Sequence, residues 1–267
     1  MLVAVNVGNE RISIGFFEED TKNLASHFQI SSDPAKTTDE YLSLVRSIVR
    51  EEGLSISSFS GVILSSVVPQ LTATVSEVLF RLTAIQPLLV GPGVKTGFSI
   101  KIDSPSELGG DIVANACAAL ASLRGTARPI VIVDAGTVTT VSAINASRAF
   151  LGCSIFPGVQ VSFDALHGRT AQLPNVTRSI PERAIGKNSQ ESMRAGVVLG
   201  HAMMIDGFVE RFAREMRSDP SELSLVMTGD LAPMMLRASR YAFDYEEHLT
   251  LRGLCELYYN TASEDKT

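Results

Sequence analysis

Two stretches of the chain switch between the same two hydrophobic rhythms. Leu2 to Val5 is an unbroken apolar run, the turn Asn6-Val7-Gly8-Asn9 interrupts it, and Ile12, Ile14 and Phe16 then alternate with other residues. Pro129 to Asn145 has the same layout: Ile130 to Val133 is a β-branched run, Asp134-Ala135-Gly136-Thr137 breaks it, and Val138 to Ile144 resumes strand-like composition. A continuous apolar run predicts a strand covered on both faces, and alternation predicts one with a single buried face. Two strand-turn-strand units about 128 residues apart predict a duplicated architecture.

Between and after these hairpins the period changes. Thr38 to Glu52 predicts an amphipathic helix with Thr38 or Asp39 as cap, Tyr41, Leu44, Val45, Ile48 and Val49 inward, and Gly53 as stop. Gly61 to Val68 predicts a buried strand ended by Pro69, Thr72 to Thr83 a helix, and Pro87 to Val90 a short strand. A glycine-rich passage ends at Gly109-Gly110-Asp111, and Ile112 to Leu123 continues as a helix of small residues. Downstream, Phe150 to Gly158 predicts a strand, Val159 to Leu166 the start of a helix, and Thr170 to Lys187 a loop over the cleft between two halves. Asn188 to Met216 predicts one long helical stretch, opened by Asn188 with Glu191 three residues on in the manner of a capping box. Its Ala195, Gly196, Gly200 and Ala202 make a small face suited to close helix packing, and Met203 and Met204 are expected in the core. Leu223 to Thr228 then predicts a strand, Leu231 to Ala238 a helix, and Thr261 to Thr267 a polar, frayed tail. Such alternation predicts an α/β fold, divided here at residues 1–117 and 118–267.

Composition narrows the function classes. The 267 residues are 45% hydrophobic, enough for substantial cores. A net charge of -6 with no basic block argues against nucleic acid as the main partner. The three cysteines, Cys117, Cys153 and Cys255, are odd in number and far apart, which suits buried small hydrophobes in a reducing compartment. The four histidines show no ligand spacing. No apolar run approaches 18 residues and no leader precedes the first strand, so no membrane partner is expected and the expected location is the cytoplasm.

The candidate chemistry sits at the turns. A small residue and a glycine let backbone approach a ligand, Thr137 adds a hydroxyl and Asp134 a carboxylate at the end of a buried strand, which suits a phosphate with its cation. The alternative is an ordinary hairpin whose Asp134 and Thr137 satisfy turn amides. With two hairpins, each half would offer one to a nucleotide in the cleft between them. Asp111, at or just before a helix N-terminus, reads either as an N-cap or as a general base that takes a proton from a hydroxyl.

Ten stretches in order resemble the type III pantothenate kinases of the actin-like, sugar-kinase-like ATPase superfamily. They are NVGN near the start, SSVVP at Ser65 to Pro69, GPGVKTG at Gly91 to Gly97, ELGGD at Glu107 to Asp111, DAGTVTT at Asp134 to Thr140, GCSIFPG from Gly152, RTAQLP from Arg169, IGKNSQESM from Ile185, TGDLA from Thr228 and LRGL from Leu251. The resemblance implies two ribonuclease-H-like domains, transfer of the ATP γ-phosphoryl to the primary hydroxyl of pantothenate, and a homodimer whose interface completes the pantothenate pocket. It also implies magnesium with ATP and a monovalent cation, potassium or ammonium. Position by position it makes Asp111 the proton acceptor, Asp134 the potassium ligand, and Asn6, Gly8, Asn9 and Thr137 nucleotide contacts. Gly109 and Gly110 match substrate-binding backbone, and Ser189 stands where the family has a substrate-binding threonine.

Four positions depart from the family's pattern. Asn6 replaces an aspartate at the metal-phosphate end, Glu10 a threonine after the phosphate turn, Ile112 an arginine beside the base, and Ile102 a tyrosine at the pantothenate pocket. Loss of a unit charge about 4 Å from a divalent ion costs on the order of 4 kcal/mol at an effective dielectric of ~20, roughly a thousandfold in rate. Two readings therefore stand: an active pantothenate kinase or a close relative acting on another small hydroxyl substrate, or a catalytically impaired or inactive paralogue acting as a dimeric ligand-binding or regulatory protein.

Overall fold

The fold is given by a computed structural model that describes residues 1–264. In chain order it runs β1 (Leu2–Val7), β2 (Arg11–Phe17), β3 (Leu24–Ser31), α1 (Thr38–Glu51), β4 (Gly61–Ser66), α2 (Pro69–Thr83) and β5 (Leu88–Leu89). There follow β6 (Ser99–Ile100), α3 (Gly110–Ser122), β7 (Ile130–Ala135), β8 (Val138–Ile144), β9 (Ala149–Pro157) and α4 (Val159–Arg169). The rest comprises α5 (Ser189–Arg194), a π-helical turn (Ala195–Leu199), α6 (Gly200–Glu215), β10 (Ser224–Thr228), α7 (Ala232–Ala238), β11 (Asp244–Tyr245) and α8 (Leu249–Glu264).

These elements form two compact units. The first comprises 1–98, 103–122 and 248–267, and the second 99–102 and 123–247. The division expected at 117/118 is a single cut, whereas the observed units interleave, because α8 returns to pack on α3 in the first.

The first unit holds a sheet of order β3-β2-β1-β4-β5, and the second a sheet of order β11-β10-β7-β8-β9-β6. In each, an antiparallel hairpin sits beside strands added in parallel, β4 next to β1 and β10 next to β7. The duplication legible in the sequence extends to burial: β1 and β7 are buried except for half-buried Asn6 and Asp134, and β2 and β8 share one burial pattern residue by residue. Asn6 is in register with Ser13 of β2 and Ser65 of β4, and Asp134 with Thr140 of β8 and Thr228 of β10.

The period-2 geometry of β1 sorts its side chains between two cores. Val3, Val5 and Val7 pack with Tyr41, Val45 and Val49 of α1 and with Leu71, Val75 and Leu79 of α2. Leu2 and Ala4 pack the other way, with Ile63 of β4, Val113 and Cys117 of α3, and Leu251 and Leu254 of α8. Asn6 and Ser65, two residues on from Ala4 and Ile63, thereby belong to the α3 side of the sheet. In the second unit Val131, Val133 and Ala135 pack against α4, the π-helical turn, α6 and α7, through residues such as Phe163, Val198, Ile205 and Met235.

Several local expectations are corrected. The cap of α1 is Thr37, in a full capping box with Glu40, and Leu42 is buried while Leu44 faces solvent. The helix α2 starts at Pro69 itself, since proline is well suited to a first helical turn, where its missing N–H costs nothing. The stretch after Asn188 is two helices joined by a π-helical turn, and the Glu191 carboxylate accepts from the Lys187 N–H rather than from the cap residue's own. Met203 and Met204 are not core residues: they are 62% and 44% exposed. The tail expected to fray from Thr261 continues α8 through Glu264, and 265–267 lie outside the described residues. Neither β3 nor α8 has a counterpart among the predicted elements.

Candidate active site

In the first unit the polar groups gather where β1, β4 and the head of α3 end. The β1–β2 connection is closed by a hydrogen bond from the Gly8 N–H to the Arg11 carbonyl at 2.9 Å, which leaves Asn9 and Glu10 exposed. Asn6 Oδ1 and Ser65 Oγ, from adjacent strands in register, are both buried without a hydrogen-bond partner among the described residues. Gly110 lies directly against Ser65, since a Cβ there would stand 2.7 Å from its Oγ. Gly109 is equally constrained: its Cβ would stand 2.5 Å from Asp111 Oδ1. That oxygen accepts the Ile112 N–H at 2.8 Å, and burial pushes the Asp111 carboxyl above the ordinary carboxylate range. Ile112, beside it, is 8% exposed.

In the second unit the β7–β8 turn is enclosed by two glycine-bearing loops. Gly158, at the end of β9, donates its N–H to the Thr137 carbonyl at 3.0 Å, and a Cβ on it would stand 2.2 Å from the Gly136 carbonyl oxygen. Gly229, after β10, has φ +96°, and its Cβ would stand 2.6 Å from both the Ala135 carbonyl oxygen and Asp134 Oδ1. Asp134 is thus flanked by Gly136 and Gly229, which keep side-chain bulk away from its carboxylate. Thr137 is half-buried in the turn.

Ser189 is placed elsewhere in this unit. It opens α5, capped by Asn188, and lines a cavity of about 870 Å³ between α4, the loop after it, and the α5-to-α6 segment. Leu166, Met193, Val197 and Met204 supply apolar wall, while Arg169, Ser192 and His201 add polar groups. His201 is 1% exposed, and burial lowers its pKa to about 4. Ile102 is half-buried in the second unit, with its Cγ2 3.9 Å from the point a Cβ on Gly152 would occupy.

Within the first unit the structure therefore assembles Asn6, Gly109, Gly110 and Asp111 around the ends of β1 and β4. Within the second it holds Asp134 and Thr137 in one turn and puts Ser189 at the cavity. Sequence reasoning gave no site role to Ser65 or His201. Ser65 had a signal, because it breaks an apolar strand at the register of Asn6, as Thr228 does beside Asp134.

These residues fit a phosphate ligand with cations: unsatisfied polar atoms at the strand ends, glycines that admit backbone approach, and a glycine-flanked carboxylate. Two sheets, each built on the same hairpin with parallel strands added, make the chain a protein of the actin-like, sugar-kinase-like ATPase fold with two ribonuclease-H-like domains. It superposes with TM-score 0.59 at 16% identity on a Campylobacter jejuni protein described as a Baf family transcriptional activator, covering 98% of this chain and 99% of that one. A Sinorhizobium meliloti protein described as a 2-dehydro-3-deoxygalactonokinase gives TM-score 0.58 at 10% identity, covering 97% and 98%.

Sequence comparison is more specific. The model of the type III pantothenate kinase family matches residues 2–211. The type III pantothenate kinase of an Exiguobacterium strain is 38% identical over 258 residues, 97% of this chain and 98% of that protein. That of Bacillus cytotoxicus is 37% identical over 262 residues, 98% of this chain and 97% of the relative. The chain belongs to the type III pantothenate kinase family.

Proposed function

We propose that this protein phosphorylates pantothenate with ATP, giving 4'-phosphopantothenate and ADP, the first step of coenzyme A biosynthesis. Family membership sets the reaction, and the observation that carries it to particular residues is the half-buried carboxyl of Asp111 at the head of α3, raised above the ordinary carboxylate range by desolvation. Its burial raises its proton affinity, which suits a group that accepts a proton from an alcohol. As the primary hydroxyl oxygen of pantothenate bonds to the γ-phosphorus, the bond to the β–γ bridging oxygen breaks, ADP leaves, and Asp111 takes the hydroxyl proton.

The remaining roles follow the same division of labour. Asn6, Gly8 and Asn9 in the first hairpin and Thr137 in the second contact the nucleotide. The Gly109–Gly110 backbone and Ser189 bind pantothenate. Asp134 ligates a monovalent cation, potassium or ammonium. That ion and the magnesium bound with ATP supply positive charge against the phosphates. The active form is a homodimer in the cytoplasm. Among the described residues no helix is long and apolar enough to cross a membrane.

The departures modulate this reading rather than redirect it. Glu10 is exposed and free to turn away from phosphate, and the aliphatic Ile112 is buried, so neither places a charge at Asp111. The test is ADP release by purified protein with and without pantothenate, in potassium, ammonium and sodium buffers, with the product identified by mass. ADP release that depends on pantothenate is expected. Release that ignores pantothenate, or none in any buffer, would overturn the proposal.

A further inference from the structure

His201 stands out among the groups that the phosphoryl-transfer roles leave unused. It is the second residue of α6, one residue past the π-helical turn Ala195–Leu199, a distortion that tends to mark functional positions. Its ring lies against Phe156, with centroids 4.9 Å apart, and its Nε2 shares a hydrogen bond with Thr139 Oγ1 at 2.8 Å. Its Nδ1 is buried with no partner among the described residues, and the residue lines the cavity that Ser189 opens onto.

A buried ring nitrogen without a partner costs stability that a ligand's polar group recovers on binding. The pairing with Thr139 fixes the ring at one end, so the other nitrogen is presented in a set orientation. The hydroxyl rotor of Thr139 can donate to Nε2, which puts the ring proton on Nδ1 as a donor, or accept from Nε2–H, which leaves Nδ1 an acceptor. Desolvation holds the ring neutral down to about pH 4, so it offers a hydrogen bond and no positive charge. The cationic side chain at this cavity is Arg169, which is exposed. Nδ1 is shielded from solvent. A ligand must displace a neighbour to reach it, and Met204, one turn along the same helix face and 44% exposed, is flexible enough to move.

We propose that His201 is a specificity-determining residue, whose Nδ1 hydrogen-bonds an uncharged group of the acceptor substrate, a hydroxyl or an amide, inside the cavity of the second unit. This rests on the reading of pantothenate as that substrate and adds a contact which no residue role above includes. The aliphatic walls take the substrate's branched hydrocarbon, and His201 reads the polar group beside it.

Two substitutions separate the ring's ends. His201→Gln keeps a polar atom toward Thr139 and removes Nδ1, whereas His201→Asn keeps one near Nδ1 and gives up the Thr139 contact. Calorimetric titration with pantothenate and with ATP, alongside steady-state kinetics, should show H201Q raising the pantothenate Kd and KM about tenfold, with ATP affinity unchanged and a clearly smaller rise in H201N. Analogues lacking the secondary hydroxyl, or methylated on the amide nitrogen, identify the contacted group: one of them should bind wild type weakly and H201Q no worse than pantothenate does. Equal pantothenate affinity in wild type and H201Q, equal losses in both variants, or no coupling to either analogue would overturn the proposal. Should wild type neither bind nor phosphorylate pantothenate, the proposed function falls, and the His201 assignment is read from thermal shifts with N-alkyl hydroxyamides of similar size. A shift in wild type that H201Q loses upholds it, and identical behaviour of the two proteins overturns it.

Discussion

Replacing Gly229 by alanine tests whether the carboxylate of Asp134 is held by the loop that crosses it. The residue has φ +96°, so a side chain there meets the left-handed penalty of about 1–2 kcal/mol. The added methyl would also stand 2.6 Å from the Ala135 carbonyl oxygen and from Asp134 Oδ1, well inside contact distance. Neither the backbone oxygen of a central strand nor a carboxylate at its end can yield cheaply, and overpacking of this kind costs about 1–3 kcal/mol. The sum is about 2–5 kcal/mol, and at roughly 2–4 °C per kcal/mol the melting temperature should fall by about 4–20 °C. Gly207→Ala is the matched control: Gly207 is exposed within α6, a Cβ there meets nothing within 4 Å, and the change should stabilise by about 0.5–1 kcal/mol. Differential scanning calorimetry of both variants reads the stability, and activity in potassium against sodium reads the cation site. A G229A protein that melts within about 2 °C of wild type and keeps its cation preference would refute the packing argument and the role assigned to Asp134 with it.

Other predictions concern the chemistry directly. Asp111→Asn should cut kcat about 10²–10⁴-fold yet raise the melting temperature at pH 7. The sign follows from the raised carboxyl: its contribution to stability is present below the unfolded carboxylate pKa and lost as pH rises through the higher folded value, so at neutral pH the ionised group is a burden that asparagine removes. The advantage should vanish in acid, and a melting temperature lower than wild type at pH 7 would contradict it. Asn6→Asp should increase kcat by up to roughly a thousandfold if the amide weakens the metal-phosphate end, and an unchanged or lower rate would show that the departure is tolerated there. Ser189→Ala should raise the pantothenate KM about tenfold with little effect on the ATP KM, whereas equal changes in both would remove Ser189 from the substrate's contacts.

Legibility in the sequence followed locality. Both hairpins, the duplication and the strand-end position of Asp134 were readable because a run of β-branched residues broken by a glycine-bearing turn means the same thing wherever it packs. The head of α3 was readable for the same reason, as a glycine pair before a carboxylate. What could not be read was decided by packing at a distance. The apolar stripe of α8 is diluted by Gly253, yet that glycine is required, since a Cβ would stand 1.8 Å from the Ala114 carbonyl oxygen of α3. Met203 and Met204 look like core residues by composition yet stay 62% and 44% exposed, because Ala202, Ile205 and Val209 already fill the inner face of α6. The burial that perturbs Asp111 and His201 is likewise a property of the assembled unit and of no local motif.

The return of α8 to the first unit gives the chain an order of assembly during its synthesis. Apart from 99–102, the second unit is one continuous segment, 123–247, and all of it is translated before α8. The first unit has emerged earlier but cannot close: the core around Leu2, Ala4 and Ile63 lacks Leu251, Leu254 and Leu257 until translation reaches them. For that interval the nascent chain carries a first unit with one bare apolar face. A message cut short before Leu249 would leave that face uncovered for good, so chaperone binding and proteolysis are the fates expected of its product.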